Sequence, residues 1–199
     1  MACPWEDVCG GCTFRSYSEA DYREHKQREL RRILETLPVG RLNFGPPVFV
    51  GDGARRRATF AFSVRRGDLV LGFNRRRSEE LVDLASCPLL VPEINAALPE
   101  IRRLIAELCK IPQPLPKNSK KHKKNLPVRI GQGDVAVCAA DNGLDLVLEF
   151  DAELGLEHKM AVFEWSENNS SVIRISHRRK AFGAVEPLIE KAKPQIAVG

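Results

Sequence analysis

Six cysteines stand at positions 3, 9, 12, 87, 109 and 138. Three fall in one short loop-like run, Cys3-Pro-Trp-Glu-Asp-Val-Cys9-Gly10-Gly11-Cys12, a C-x5-C-x2-C spacing. Thiolates folded around one point need a soft, positively charged centre, and zinc or an iron–sulfur cluster would supply it. Gly10 and Gly11 allow a tight backbone turn and can aim amide N–H groups at sulfur. Spacing alone leaves zinc and iron–sulfur open, beside a disulfide pair or unligated loop thiols. The spacing is not C-x3-C-x2-C, so no open-site iron chemistry follows from it. Cys87 precedes Pro88 after a polar stretch. Cys109 lies in a helix-like pattern and Cys138 in an apolar strand, where each is expected to be a small buried hydrophobe.

The elements that must position these thiols come next. Ser18, with Asp21 three residues on, starts a helix whose apolar stripe is Tyr22, Leu30, Ile33, Leu34 and Leu37; Pro38 and Gly40 end it. A short strand is expected at 48–50. Residues 57–65 alternate Ala58, Phe60, Phe62 and Val64 against Arg57, Thr59, Ala61, Ser63 and Arg65; Arg66-Gly67-Asp68 turns the chain into a returning strand at 69–73. Residues 93–110 read as a helix carrying Ile94, Leu98, Ile101, Leu104, Ile105 and Leu108, broken or restarted near Leu98 by Pro99. A Pro/Lys-rich loop at 111–127 precedes strands at 127–131, 134–140 and 144–150, the last two joined through Asp141-Asn142-Gly143. A strand at 172–176 and a helix at 185–193, closed by Pro194, complete the pattern. No internal repeat is present. Hairpins with separated helices give an α+β fold: an antiparallel sheet with packed helices, preceded by the N-terminal Cys-rich loop, a candidate cluster-binding loop.

The chain has 199 residues, 31 Lys+Arg against 26 Asp+Glu and 43% hydrophobic content. This composition excludes a mainly disordered, collagen-like or disulfide-dense chain, and no apolar run approaches the roughly 20 residues of a membrane span. The start has neither the basic nor the apolar part of a signal peptide, so a cytoplasmic protein is expected. The net charge of +5 is segregated. Residues 55–77 carry eight arginines and one acid, residues 117–129 six cations and no acid, and residues 141–167 eight acids and one lysine. A block at 174–180 adds four cations. Such asymmetry marks a face for polyanions, and arginine favours phosphate and bases.

Together these residues resemble the S-adenosylmethionine-dependent RNA uracil-5-methyltransferases, in particular their iron–sulfur ribosomal-RNA branch. The matching pieces run in order: Cys3-x5-Cys9-Gly10-Gly11-Cys12; the helix with Tyr22 and Lys26; Arg55-Arg56-Arg57-Ala58-Thr59-Phe60; Leu71-Gly72-Phe73; and Val82-Asp83-Leu84-Ala85-Ser86-Cys87-Pro88. The match is clear over residues 3–110 and loose beyond. Ala54 stands where the family usually has a tyrosine. The resemblance implies that Cys3, Cys9, Cys12 and Cys87 hold a [4Fe–4S] cluster, fully ligated by protein and structural or RNA-orienting. It divides the chain into a cluster loop at 1–17, a helix at 18–40 that in the family packs on the methyltransferase domain, and a central α+β RNA-recognition domain at 41–199. By the same resemblance, the family's N-terminal β-barrel and C-terminal S-adenosylmethionine-binding domain are expected to be missing from this chain. Neither G-x-G-x-x-G nor an Asp-Pro-Pro-Arg cysteine context occurs. No catalytic residue and no S-adenosylmethionine site is therefore expected, and the chain reads as an excised or truncated, catalytically incomplete part of its parent.

The expected partner is RNA, ribosomal by the four-cysteine set, bound by a monomer. Arg55, Arg57, Arg75 and Arg76 are the phosphate contacts, Phe73 the stacking aromatic, and Lys120, Lys121, Lys123 and Lys124 a second patch acting through counterion release. His122 reads as a solvated neighbour of those lysines, and His177 lacks the nucleophile a general base would serve. Two rival readings remain: a free-standing zinc-binding nucleic-acid adaptor without enzymatic activity, and a structural domain whose basic face meets an acidic protein.

Overall fold

Alternation in residues 57–65 becomes a strand because one row of its side chains has a core to enter. Phe60 and Phe62 are buried while Arg57 and Arg65 stay in solvent. The computed structural model describes residues 3–38, 40, 45–113, 129–179 and 183–197. In chain order they form α1 (Glu19–Glu35), β1 (Arg57–Arg65), β2 (Asp68–Asn74), β3 (Leu81–Asp83), α2 (Pro92–Leu108), β4 (Gln132–Ala140), β5 (Gly143–Glu149), α3 (Leu156–Glu167), β6 (Val172–Arg178) and β7 (Glu186–Glu190).

The strands make one seven-stranded sheet in the order β3-β2-β1-β4-β5-β6-β7. The fold is α+β, as expected. Both expected hairpins are present, β1–β2 through Arg66-Gly67 and β4–β5 through Asp141-Asn142. The sheet is not wholly antiparallel: β5 and β6 run parallel, because α3 carries the chain back over the sheet between them. β1 joins β4 across the centre, with Phe62 opposite Gly133. A Cβ on Gly133 would stand 2.5 Å from the Glu149 carbonyl oxygen and 2.8 Å from the Phe62 ring, so only glycine fits there.

The core lies between one sheet face and two helices. From α2 it takes Ile94, Leu98, Ile101, Leu104, Ile105 and Leu108, and from α3 Val162 and Trp165, all against Phe60, Leu71, Val135, Leu146 and Ile175. The Trp165 indole N–H donates to the Glu100 carbonyl at 3.0 Å, locking α3 on α2.

Several expectations are corrected. α2 runs unbroken through Pro99. A mid-helix proline costs about 3 kcal/mol, and the four large aliphatics buried beyond it, at about 1.5–3 kcal/mol each, outweigh that. Where a helix was expected at 185–193, Glu186–Glu190 form strand β7, because β6 offers a free edge for pairing. Residues 48–50 form no strand among the described residues; Val48 and Val50 are exposed. The strand expected at 127–131 reduces, among described residues, to an Arg129–Pro112 bridge. The short β3 and the whole of α3 answer to none of the sequence patterns above. The Ser18 cap holds: its hydroxyl accepts the Asp21 N–H at 3.1 Å. Yet α1 buries no residue, and Leu30, Ile33 and Leu37 face solvent.

Candidate functional site

The cysteine loop is built onto the sheet as an extra edge. Gly10 N–H donates to the Asn74 carbonyl at 2.8 Å, and Cys9 bridges Arg75. A Cβ on Gly10 would lie 2.8 Å from that same carbonyl oxygen, so the approach requires glycine. Gly11 N–H donates to the Cys9 sulfur at 3.3 Å, the amide-to-sulfur contact the Gly-Gly step suggested. Beneath the loop, Cys9, Val82 and Leu84 form a small second core with Trp5, Val8 and Phe73 packed against it.

Cys87 arrives from a distant segment. The Asn95 side chain in α2 accepts the Cys87 N–H at 2.9 Å and donates back to its carbonyl at 3.0 Å. Residues 53–55 lie along 88–91, with Gly53 N–H donating to Pro88 and Arg55 N–H to Leu89. Cys3, Cys9, Cys12 and Cys87 thereby line one enclosed cavity, together with Arg55 and Arg15. Arg15 is held at its edge by an ion pair with Asp52.

Crowded thiols resist ionisation. Burial, then the neighbouring Cys87, Cys9 and Cys3 sulfurs, raise the Cys12 thiol above its ordinary range, and Arg55 opposes them. Burial does the same at Cys87, again against Arg55. Four thiolates here need a bound cation. Among the described residues no three His, Cys, Asp or Glu side chains form a ready ligand set for a single ion. The donor set itself is all sulfur, which suits a soft metal or cluster. Neither remaining cysteine is an exposed nucleophile. Cys109 is buried, its thiol pushed up to about 11 by burial; Cys138 is half-buried on β4, less enclosed than expected.

The arginines divide by what already holds them. Arg76 is committed: its guanidinium donates to the carbonyls of Glu6, Cys9 and Cys12 at 3.1, 3.3 and 2.9 Å. It clasps the cysteine loop, a role no spacing could reveal because the three acceptors are backbone oxygens more than 60 residues away. Arg75 shares its charge with Glu80 at 3.2 Å. Arg55 faces the thiols. Arg57 is exposed and, among the described residues, makes no ion pair. Phe73 is half-buried with its ring stacked on Phe60, centroids 5.2 Å apart, so most of its surface is already used. Lys120, Lys121, Lys123, Lys124 and His122 lie outside the described residues. His177 is buried against Phe150, which lowers its pKa by desolvation and keeps it from solvent.

No protein-family model matches the chain. Two uncharacterised RNA methyltransferases, from Brucella suis biovar 1 and Brucella melitensis biotype 1, are each 28% identical over 198 residues, covering 100% of this chain and 41% of the relative. The 23S rRNA (uracil(1939)-C(5))-methyltransferase RlmD of Vibrio cholerae serotype O1 is 34% identical over 102 residues, 50% of this chain and 23% of that protein. The chain thus spans less than half the length of the curated relatives it matches, and is similar to one part of each.

Proposed function

We propose that this chain is the cluster-bearing, RNA-recognising part of an S-adenosylmethionine-dependent RNA uracil-5-methyltransferase of the 23S rRNA type. Cys3, Cys9, Cys12 and Cys87 hold a [4Fe–4S] cluster. The observation that carries the reading is the convergence of these four thiols, from two segments 75 residues apart, on one cavity. An all-sulfur set of four suits a cluster, which takes one thiolate at each iron. When bound, the cluster supplies positive charge and four anchor points, with no coordination position left open.

The chain's own residues then do the positioning. Arg76 fixes the loop, Asn95 fixes Cys87, and Arg55 offsets negative charge at the sulfurs. Arg57 takes RNA phosphate, and Arg75 does so only by giving up Glu80. Extruding a target uracil from its stack costs a few kcal/mol, and phosphate contacts offset that cost. None of the six cysteines is placed to attack a uracil ring, so the chain alone transfers no methyl group. It works in the cytoplasm as a monomer.

Protein purified without oxygen is expected to be brown, with about four irons and four sulfides per chain. One tightly bound zinc in a colourless protein overturns the cluster. Ribosomal RNA binding should weaken steeply with salt and weaken further in Arg57→Ala. Incorporation of label from S-adenosylmethionine into RNA by this chain alone overturns its assignment as the recognition part only.

A further inference from the structure

The Cys9–Cys12 loop separates two spaces. Gly11, Cys12 and Phe73 line the thiol cavity, and the same three residues line an open groove of about 660 Å³. That volume is within the roughly 300–1,000 Å³ of small-ligand clefts. Its floor is low: Gly10, Gly11 and, from β1, Thr59 and Ala61 carry little side chain, and Asp134 of β4 is the one acid in the lining. A planar group can lie there, with Asn74 and Ser78 at the rim for hydrogen bonds.

The rim at 74–78 is a tight turn. Arg75 N–H donates to the Glu80 carbonyl at 2.7 Å and Arg76 N–H to the Val8 carbonyl at 3.0 Å. Arg77 sits at its tip with φ 54°, the left-handed region that favours glycine. A bulky residue in that strained position, at the edge of a groove, points to use of its side chain. The two arginines before it are engaged, Arg75 by Glu80 and Arg76 by the loop carbonyls. Among the described residues Arg77 makes no ion pair, so it is the cation the groove can offer to a ligand.

We infer that this groove seats one unstacked nucleotide of single-stranded RNA, its base on the glycine-rich floor and its phosphate on the Arg77 guanidinium. The fork of Arg77 matches a phosphate bidentately. The low, open-sided floor admits a base already out of its stack, whereas a paired base is closed off inside a helix. The inference rests on the RNA-recognition reading and adds to it the place and the residue.

The test uses the full chain, purified without oxygen, with a fluorescently labelled uridine pentanucleotide and separately with ribosomal RNA. Arg77→Gly is expected to weaken pentanucleotide binding roughly tenfold, the worth of a charge-assisted bidentate contact. It should also lower the salt slope by about one phosphate. The melting temperature should hold or rise, since glycine accepts φ 54° without strain, so misfolding cannot produce the loss. Arg66→Gly is the matched control: Arg66 also has φ 54°, in the β1–β2 turn, and does not line the groove. Pentanucleotide affinity should be unchanged there. Equal losses in both variants, or no loss in Arg77→Gly, overturn the inference, as does equal competition by a pentaglutamate peptide. Binding of ribosomal RNA without the pentanucleotide removes the groove and leaves the recognition reading standing; binding of neither removes both.

Discussion

Replacing Arg76 by alanine should open the cysteine loop while leaving the sheet folded. The guanidinium makes three hydrogen bonds to loop carbonyls, at 2.9–3.3 Å. Two of them are solvent-exposed, so about 0.5–1 kcal/mol apiece is appropriate, or about 2 kcal/mol in sum. Its own N–H bond to Val8 survives the substitution, as does the Gly10–Asn74 bond. A loss of about 2 kcal/mol in the loop's local opening free energy accelerates amide exchange roughly 30-fold. Hydrogen exchange read by mass spectrometry on peptides covering 5–14 should show this, while peptides of β4 and β5 stay protected. Arg76→Lys should recover only part, because a point charge cannot serve three diverging acceptors. If residues 5–14 exchange at the wild-type rate in Arg76→Ala, the clasp is not what holds the loop, and Arg76 returns to the pool of free phosphate contacts.

Two further perturbations probe the packing. Gly10→Ala should drive the loop away from the Asn74 carbonyl and sharply reduce iron per chain, with far-ultraviolet circular dichroism unchanged; full iron content would refute the close approach. His158 in α3 is completely buried and, among the described residues, neither ring nitrogen has a hydrogen-bond partner of good geometry, so desolvation lowers its pKa below 6.5. Below about pH 6.5 the unfolded chain takes up a proton that the native chain refuses. Stability should therefore fall as pH falls, by up to about 1.4 kcal/mol per pH unit for this group. His177, also lowered by burial, adds to the slope. His158→Met should raise the melting temperature and flatten its profile between pH 7 and 5; an unchanged slope would refute the assignment.

Much of the site was legible because its signals are local. Cysteine spacing, a Gly-Gly step and a run of arginines need no tertiary structure to be seen. The use made of each arginine is another matter. Arg75, Arg76 and Arg77 are adjacent and identical in type, yet one pairs with Glu80, one holds three carbonyls and one stands in a strained turn facing a groove. Only the folded positions of the acceptors distinguish them. α3 escaped notice for a related reason. It lies in an acidic run, starts at Gly155 without a side-chain cap, and buries His158 and Ser166 beside Val162 and Trp165, so its buried face is not marked by apolar residues alone.

By itself, then, the sequence determined the elements written in short-range patterns: the Ser18 cap, the Arg66-Gly67 turn, the alternating β1 and β4 and the apolar stripe of α2. Residues a few positions apart decide those through backbone geometry and side-chain periodicity. Tertiary structure alone decided the pairing of β1 with β4, the conversion of 186–190 into an edge strand, the passage of α2 through Pro99 and the meeting of Cys87 with Cys3, Cys9 and Cys12. Each depends on a free strand edge, a buried surface or a cavity made by residues far apart in the chain, and long-range burial there overrode the local preference.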